Sequence, residues 1–233
     1  MTTQMSEAEK FLARNCYGYG CWSACYWFIG PEQGMGNTNY EEEINKRYKA
    51  FIELQTDGLC DCRSFHEHIG GNKFFPKGPS QKVALNKTWG YQIALLYAYL
   101  DKYCDREIRR DYQFNQLGNA KGHTCVVELK GLPAYNGRAS KDQTDYLGDR
   151  IKELRKQIDF HSPKFVVFYG SEQESWTQIA NCEIELEKPV ARGDTVFTYM
   201  PHPNARNEPR KHTDWEAMGK TIRSRRASPA DYN

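Results

Sequence analysis

Four short apolar runs constrain this chain more than anything else in it: residues 25–29 (CYWFI), 124–129 (TCVVEL), 165–169 (FVVFY) and 195–200 (TVFTYM). Each is rich in β-branched and aromatic residues, and each gives way to a glycine, a proline or a turn. Near-continuous apolarity, without polar alternation, marks strands covered on both faces, as in a parallel sheet with helices on either side. The intervening segments carry helical spacing. Ser6 with Glu9 three residues on starts a capped helix, and Gly18 and Gly20 end it. Residues 40–54 place Ile44, Tyr48, Phe51, Ile52 and Leu54 on one face, and 145–160 do the same with Leu147, Ile151, Leu154 and Ile158. Residues 89–103 predict a strongly apolar, deeply buried helix, with a short helix at 174–180 and a terminal one at 214–226. Residues 70–79 are a glycine- and proline-rich loop.

No repeat or long linker divides the chain. The expectation is one α/β domain over residues 1–233, with a central four-stranded, mainly parallel sheet flanked by helices on both faces. The charged fraction of 27% and formal net charge of +2 are those of an ordinary soluble protein. No apolar run approaches the roughly 20 residues that span a bilayer, and the first residues lack a secretory pattern. A cytoplasmic monomer without a membrane partner is expected. The end of the chain is basic (Arg210, Lys211, Lys220, Arg223, Arg225, Arg226), which suits either nucleic acid or a solvated helix face. Eight cysteines are expected to be thiols. Cys60, Cys62, His66 and His68 are four soft ligands within nine positions, but their spacing departs from that of zinc fingers, and the segment also reads as a helix start. No metal or other cofactor is expected.

Strand ends locate the chemistry. The first run passes into Gly30-Pro31-Glu32-Gln33-Gly34, the second ends at Glu128, and the fourth passes into Pro201-His202-Pro203-Asn204. In an open parallel sheet these carboxyl ends face one crevice. Two prolines restrict the backbone that carries His202. Each residue also has a plainer role open to it: Glu32 as a helix cap, His202 as a hydrogen-bonded structural histidine, and Glu128 turned outward to pair with Lys130.

Gly30-Pro31-Glu32-Gln33-Gly34, the 126–133 segment and His202-Pro203-Asn204, in that order at strand ends, resemble the motifs of the uracil-DNA glycosylase superfamily, in a divergent branch. The resemblance spans about residues 22–206. It implies hydrolysis of the bond between a flipped-out nucleobase and deoxyribose, with DNA as partner. Glu32 and His202 would be catalytic, the first stabilising the sugar cation and orienting water, the second stabilising the departing base. Glu128, Phe65 and Tyr135 would contact the base, and Asn204 and Arg206 the phosphates.

Two departures qualify the resemblance. Pro31 and Gln33 stand where the family usually has Gln or Glu and Pro, and Glu128 replaces an asparagine. Taken as an ionised acceptor, Glu128 would repel the O4 of uracil and favour an exocyclic amine. The expected substrate is therefore a modified cytosine-type base, in repair or in defence against modified foreign DNA. An inactive nucleic-acid-binding module and another α/β nucleotide-processing hydrolase are the alternatives.

Overall fold

The structure is a computed structural model, and it describes residues 5–35, 39–54, 57–71, 73–76, 82–134, 144–204 and 213–227. Its elements run α1 (Glu7–Asn15), β1 (Gly18–Tyr19), β2 (Tyr26–Gly30), α2 (Tyr40–Glu53), β3 (Leu59–Cys60), α3 (Cys62–His68), α4 (Lys87–Tyr99), α5 (Arg106–Asn115), β4 (Thr124–Glu128), α6 (Thr144–His161), β5 (Phe165–Tyr169), α7 (Gln173–Ala180), β6 (Val190–Arg192), β7 (Thr195–Met200) and α8 (Trp215–Ala227). The sheet is mixed and has seven strands, in the order β3-β1-β4-β2-β5-β7-β6. It is thus wider than the four expected strands. Those four pair in parallel as β4-β2-β5-β7. Of the three added strands, β1 and β6 run antiparallel to β4 and β7, and β3 pairs in parallel with β1 at the edge.

Both faces of the parallel strands are covered, which explains their unbroken apolarity. Trp27, Ile29, Val127, Val166 and Phe168 pack under Leu154 and Ile158 of α6 and Trp176 of α7. On the opposite face, Tyr26, Phe28, Val167, Tyr169 and Met200 pack under Leu95 and Leu96 of α4 and Trp215 and Ile222 of α8. Val126 closes a third cluster with α1, α2 and Phe65 of α3. The predicted box at α1 is present, with Ser6 Oγ accepting from Glu9 N and Glu9 Oε2 from Ser6 N. The helix predicted at 89–103 stops sooner: Leu100 caps α4, and Asp101 turns left-handed (φ 58°). The unforeseen α5 follows, capped by Asp105, whose carboxylate accepts from Ile108 N at 2.8 Å. Gly18 does not merely end α1. With φ at +130°, it brings β1 so close to β4 that a Cβ there would lie 2.2 Å from the Val126 carbonyl oxygen.

One close approach shapes the carboxyl end of the sheet. The Tyr169 ring of β5 lies across Gly30 of β2, where a Cβ would stand 2.3 Å from the ring. The neighbouring carbonyl of Gly170 accepts the Tyr199 hydroxyl at 2.9 Å. The glycine loop is tied to the segment after β4: Leu129 N, Lys130 N and Ala134 N donate to the carbonyls of Gly30, Pro31 and Gln33 at 2.8–2.9 Å. A methyl group at residue 30 must displace the ring, at a cost of about 1–3 kcal/mol. Denaturant unfolding of Gly30→Ala should show that loss, and much less of it in a Tyr169→Leu background. An equal loss in both backgrounds would mean that the ring is not what the methyl meets.

Candidate functional site

The ends of β4, β2, β5 and β7 place Glu128, Glu32, Tyr169 and His202 side by side. Glu128 belongs to the strand face that carries Val126, so it points under the sheet's helical cover and is 6% exposed. It does not pair outward with Lys130. Instead Lys130 Nζ lies 3.5 Å from Glu32 Oε2 and 3.5 Å from Glu172 Oε1, bridging two carboxylates on adjacent strand ends. Nor does Glu32 cap the next helix, because the cap of α2 is Asn39, whose side chain accepts from Glu42 N. Gln33, beside it, accepts a hydrogen bond from Arg47, itself paired with Glu43 at 2.8 Å.

The protonation states follow from burial. Desolvation raises the Glu32 carboxyl, and Lys130 opposes that rise while Glu172 adds to it. For Glu128 burial is the main cause and the neighbouring Glu32 the next, pushing it up to about 8 against the pull of Arg150 and Arg47. At neutral pH Glu128 is therefore mainly the neutral acid, which corrects the sequence expectation of an ionised acceptor. A neutral acid presents one O–H donor and one carbonyl acceptor. It can pair with the N4–H/N3 edge of cytosine or the O4/N3–H edge of uracil, so it does not by itself reject uracil.

His202 is half-buried, and desolvation lowers its pKa against the opposing charge of Glu172. The backbone N–H of Asn204 donates to its Nδ1 at 3.1 Å. Nδ1 is thus the lone-pair nitrogen, and the neutral ring carries its proton on Nε2, free to donate. The imidazole packs 5.6 Å from the Tyr169 ring. Tyr169 in turn neighbours Gln92 of α4 and feels the charge of Glu128. Gln92 is 0% exposed, and its amide lies against the Tyr169 hydroxyl without a well-formed hydrogen bond; among the described residues Glu128 Oε2 has no partner, and Glu32 Oε2 meets only Lys130 Nζ, at 3.5 Å. Buried polar atoms left unsatisfied at one spot are the mark of a site whose partner is a ligand or ordered water.

Of the other expected site residues, Phe65 is 1% exposed and lies in the core against Tyr19, with the Arg47 guanidinium 6.0 Å from its centroid. Asn204 is exposed, and its amide donates to Thr88 Oγ1 at 3.1 Å. Tyr135 and Arg206 lie outside the described residues. The sequence did not mark Gln92, Tyr169 or Glu172 as site residues, and it offered Lys130 only as an outward partner of Glu128. A signal existed for Gln92 alone, as the one polar side chain in the run YQIALLYAYL. Of the candidate zinc ligands, Cys62 Sγ lies 3.8 Å from His66 Nδ1, but among the described residues no three such ligands gather at one point. Two open clefts, of about 510 and 590 Å³, lie elsewhere, around Tyr17 and Asp149 between α1 and α6.

Compared with protein-family models and with curated proteins, the chain matches none.

The raised carboxyl has a thermodynamic signature. The folded state holds the Glu128 proton up to about pH 8, whereas the unfolded state releases it near 4.5. Stability should therefore fall as pH rises between those values, by up to about 1.4 kcal/mol per unit, and then level off. Glu32, also raised, adds to the same slope. Chemical denaturation at a series of pH values should show a shallower slope for Glu128→Gln; identical slopes would contradict the assignment. In the same pH range, long-range ¹⁵N correlations should show His202 protonated on Nε2 alone at pH 7, and a doubly protonated ring there would contradict its neutral state.

Proposed function

We propose that the chain is a DNA glycosylase that hydrolyses the N-glycosidic bond of a flipped-out, non-canonical pyrimidine. The observation that carries this reading is the buried pair Gln92 and Glu128, whose polar atoms lack well-formed hydrogen bonds among the described residues, set beside Glu32 and a neutral histidine whose Nδ1 is occupied by a backbone N–H. These are the groups that base hydrolysis needs. A flipped base requires buried donors and acceptors to replace its lost pairing. Bond breaking puts positive charge on the sugar and negative charge on the base. Glu32, kept anionic by Lys130 against its burial, can stabilise the sugar cation and take a proton from the attacking water. His202, donating from Nε2, can stabilise charge on a base oxygen, as a fixed neutral donor does at an oxyanion. The loop that carries Glu32 is held by the three backbone hydrogen bonds to the segment after β4, so the carboxylate's position is set before substrate arrives.

DNA would meet this end of the sheet, where Asn204 is exposed. The described basic residues of α8 are partly engaged within the fold: Arg223 pairs with Asp101 at 2.8 Å and Arg226 donates to the Tyr99 hydroxyl at 3.2 Å. Phosphate contacts near residues 202–206 are therefore favoured over contacts along α8.

Abasic-site formation on duplexes and single strands bearing uracil and assorted modified pyrimidines tests the reading. Glu32→Gln and His202→Ala should each lower the rate by about 10²–10⁴, the range for a lost general acid–base or electrostatic group. Undiminished base release by either variant would overturn the assignment of that residue. Salt-sensitive DNA binding with no base release from any substrate would favour a binding module over an enzyme.

A further inference from the structure

We propose that Glu128 is a proton donor to the departing base, handing its proton to ring nitrogen N3 of a cytosine-type pyrimidine as the glycosidic bond breaks. This rests on the glycosylase reading and deepens it, turning a wall of the base pocket into a participant in the reaction.

The geometry supplies the argument. Glu128 ends β4 and is almost wholly buried, with Oε2 unbonded among the described residues, and it and the buried Gln92 amide both act on Tyr169. Its neighbours are known from every side. Glu32 faces it from the loop after β2, Arg47 from α2 and Arg150 from α6. Tyr169 faces it from β5, Tyr19 from β1 and Cys16 from the end of α1. Neither arginine forms a salt bridge with it. Arg47 is spent on Glu43 and Gln33. Arg150 gives its donors to the carbonyls of Ala13, Cys16, Glu128 and Leu129 at 2.6–3.0 Å. Two carboxyls so placed, without a dedicated cation for the inner one, hold one proton between them at neutral pH. Burial assigns that proton to Glu128, and the ion pair with Lys130 keeps Glu32 ionised.

The reaction conserves that single proton. The C1′–N1 bond breaks and its electron pair goes to the base. Glu128 gives its proton to N3, so the base leaves as a neutral tautomer and Glu128 becomes a carboxylate. Water adds to C1′ and its proton passes to Glu32. The pair begins as acid and carboxylate and ends as carboxylate and acid; both are charged only while the sugar cation stands beside them and balances the second charge. Proton return from Glu32 to Glu128 through solvent resets the site. A cytosine-type base has a lone pair at N3 and gains from this proton; a uracil-type base carries hydrogen there and leaves as a delocalised anion, relying on His202.

Single-turnover base release from DNA carrying a cytosine-type base or uracil, followed from pH 6 to 9.5, tests the inference. For the wild-type chain, release of the cytosine-type base should fall about tenfold per pH unit above about pH 8, while uracil release, for which the O–H is only a hydrogen-bond donor to O4, should level off within about tenfold. Glu128→Gln keeps a donor and an acceptor but has no transferable proton. It should slow cytosine-type release by about 10²–10⁴ and uracil release by at most about tenfold. Equal losses on both bases, or wild-type rates and profile in the variant, would overturn the proton-donor role while leaving the glycosylase reading intact. Release of no base by the wild-type chain would remove that reading and this inference together. The wild-type comparison of the two bases stands even if the variant folds poorly.

Discussion

A tyrosine ring stands where residue 30 would carry its Cβ, and the candidate site is arranged around that contact. Because Gly30 yields the space, Tyr169 of β5 lies across the end of β2. There it meets Gln92 from α4 above, Glu128 from β4 on one side and His202 from the end of β7 on the other. Parallel pairing brings these strand ends into line, and Glu128, Tyr169 and Gln92 among them are buried. A side chain on residue 30 would push the ring out and separate groups that come from four strands and a helix.

The electrostatics of the site follow from that enclosure. Glu128 is neutral because it is buried beside a second carboxyl, and Lys130, reaching Glu32 from the end of β4, opposes the rise that burial imposes on that carboxyl. His202 is neutral because it is partly desolvated, and its tautomer is set by one backbone N–H. Arg150 helps without touching the carboxylates. Its buried guanidinium gathers four backbone carbonyls and lies 4.0 Å over the Tyr17 ring, fixing the path of the chain just as it leaves β4. Carbonyl dipoles and a π face thus hold a cation whose pull on the Glu128 proton is outweighed by burial.

Legibility in the sequence tracked the range of the physics. Strands buried on both faces and helices with apolar spacing carry their signal within a dozen residues, and β2, β4, β5, β7, α2 and α6 were readable for that reason. The strands β1 and β3, of two residues each, have no periodicity to read, and they exist because glycines let the edge approach β4. Helix α5 was hidden by its polarity: its residues are REIRRDYQFN, and only its Asp105 cap announces it. At the site, strand ends pointed to Glu32, Glu128 and His202, since topology alone sends them to one edge. Their states did not follow, because protonation depends on burial and on partners distant in sequence. The neutral Glu128 and the bridging role of Lys130 are products of the fold, and the ionised Glu128 assumed from sequence was wrong for that reason.

The central claim is that Glu32, Glu128, Gln92 and His202 form one pocket for a flipped base. A crystal structure of the chain with DNA carrying a cleavage-resistant 2′-fluorinated cytosine-type nucleotide tests it most directly. The account predicts the base out of the stack, its N3 edge on Glu128 and Gln92, its sugar against Glu32, and a base oxygen within hydrogen-bond reach of His202 Nε2. A base left stacked in the duplex, or one lodged in the cleft lined by Tyr17 and Asp149, would contradict it.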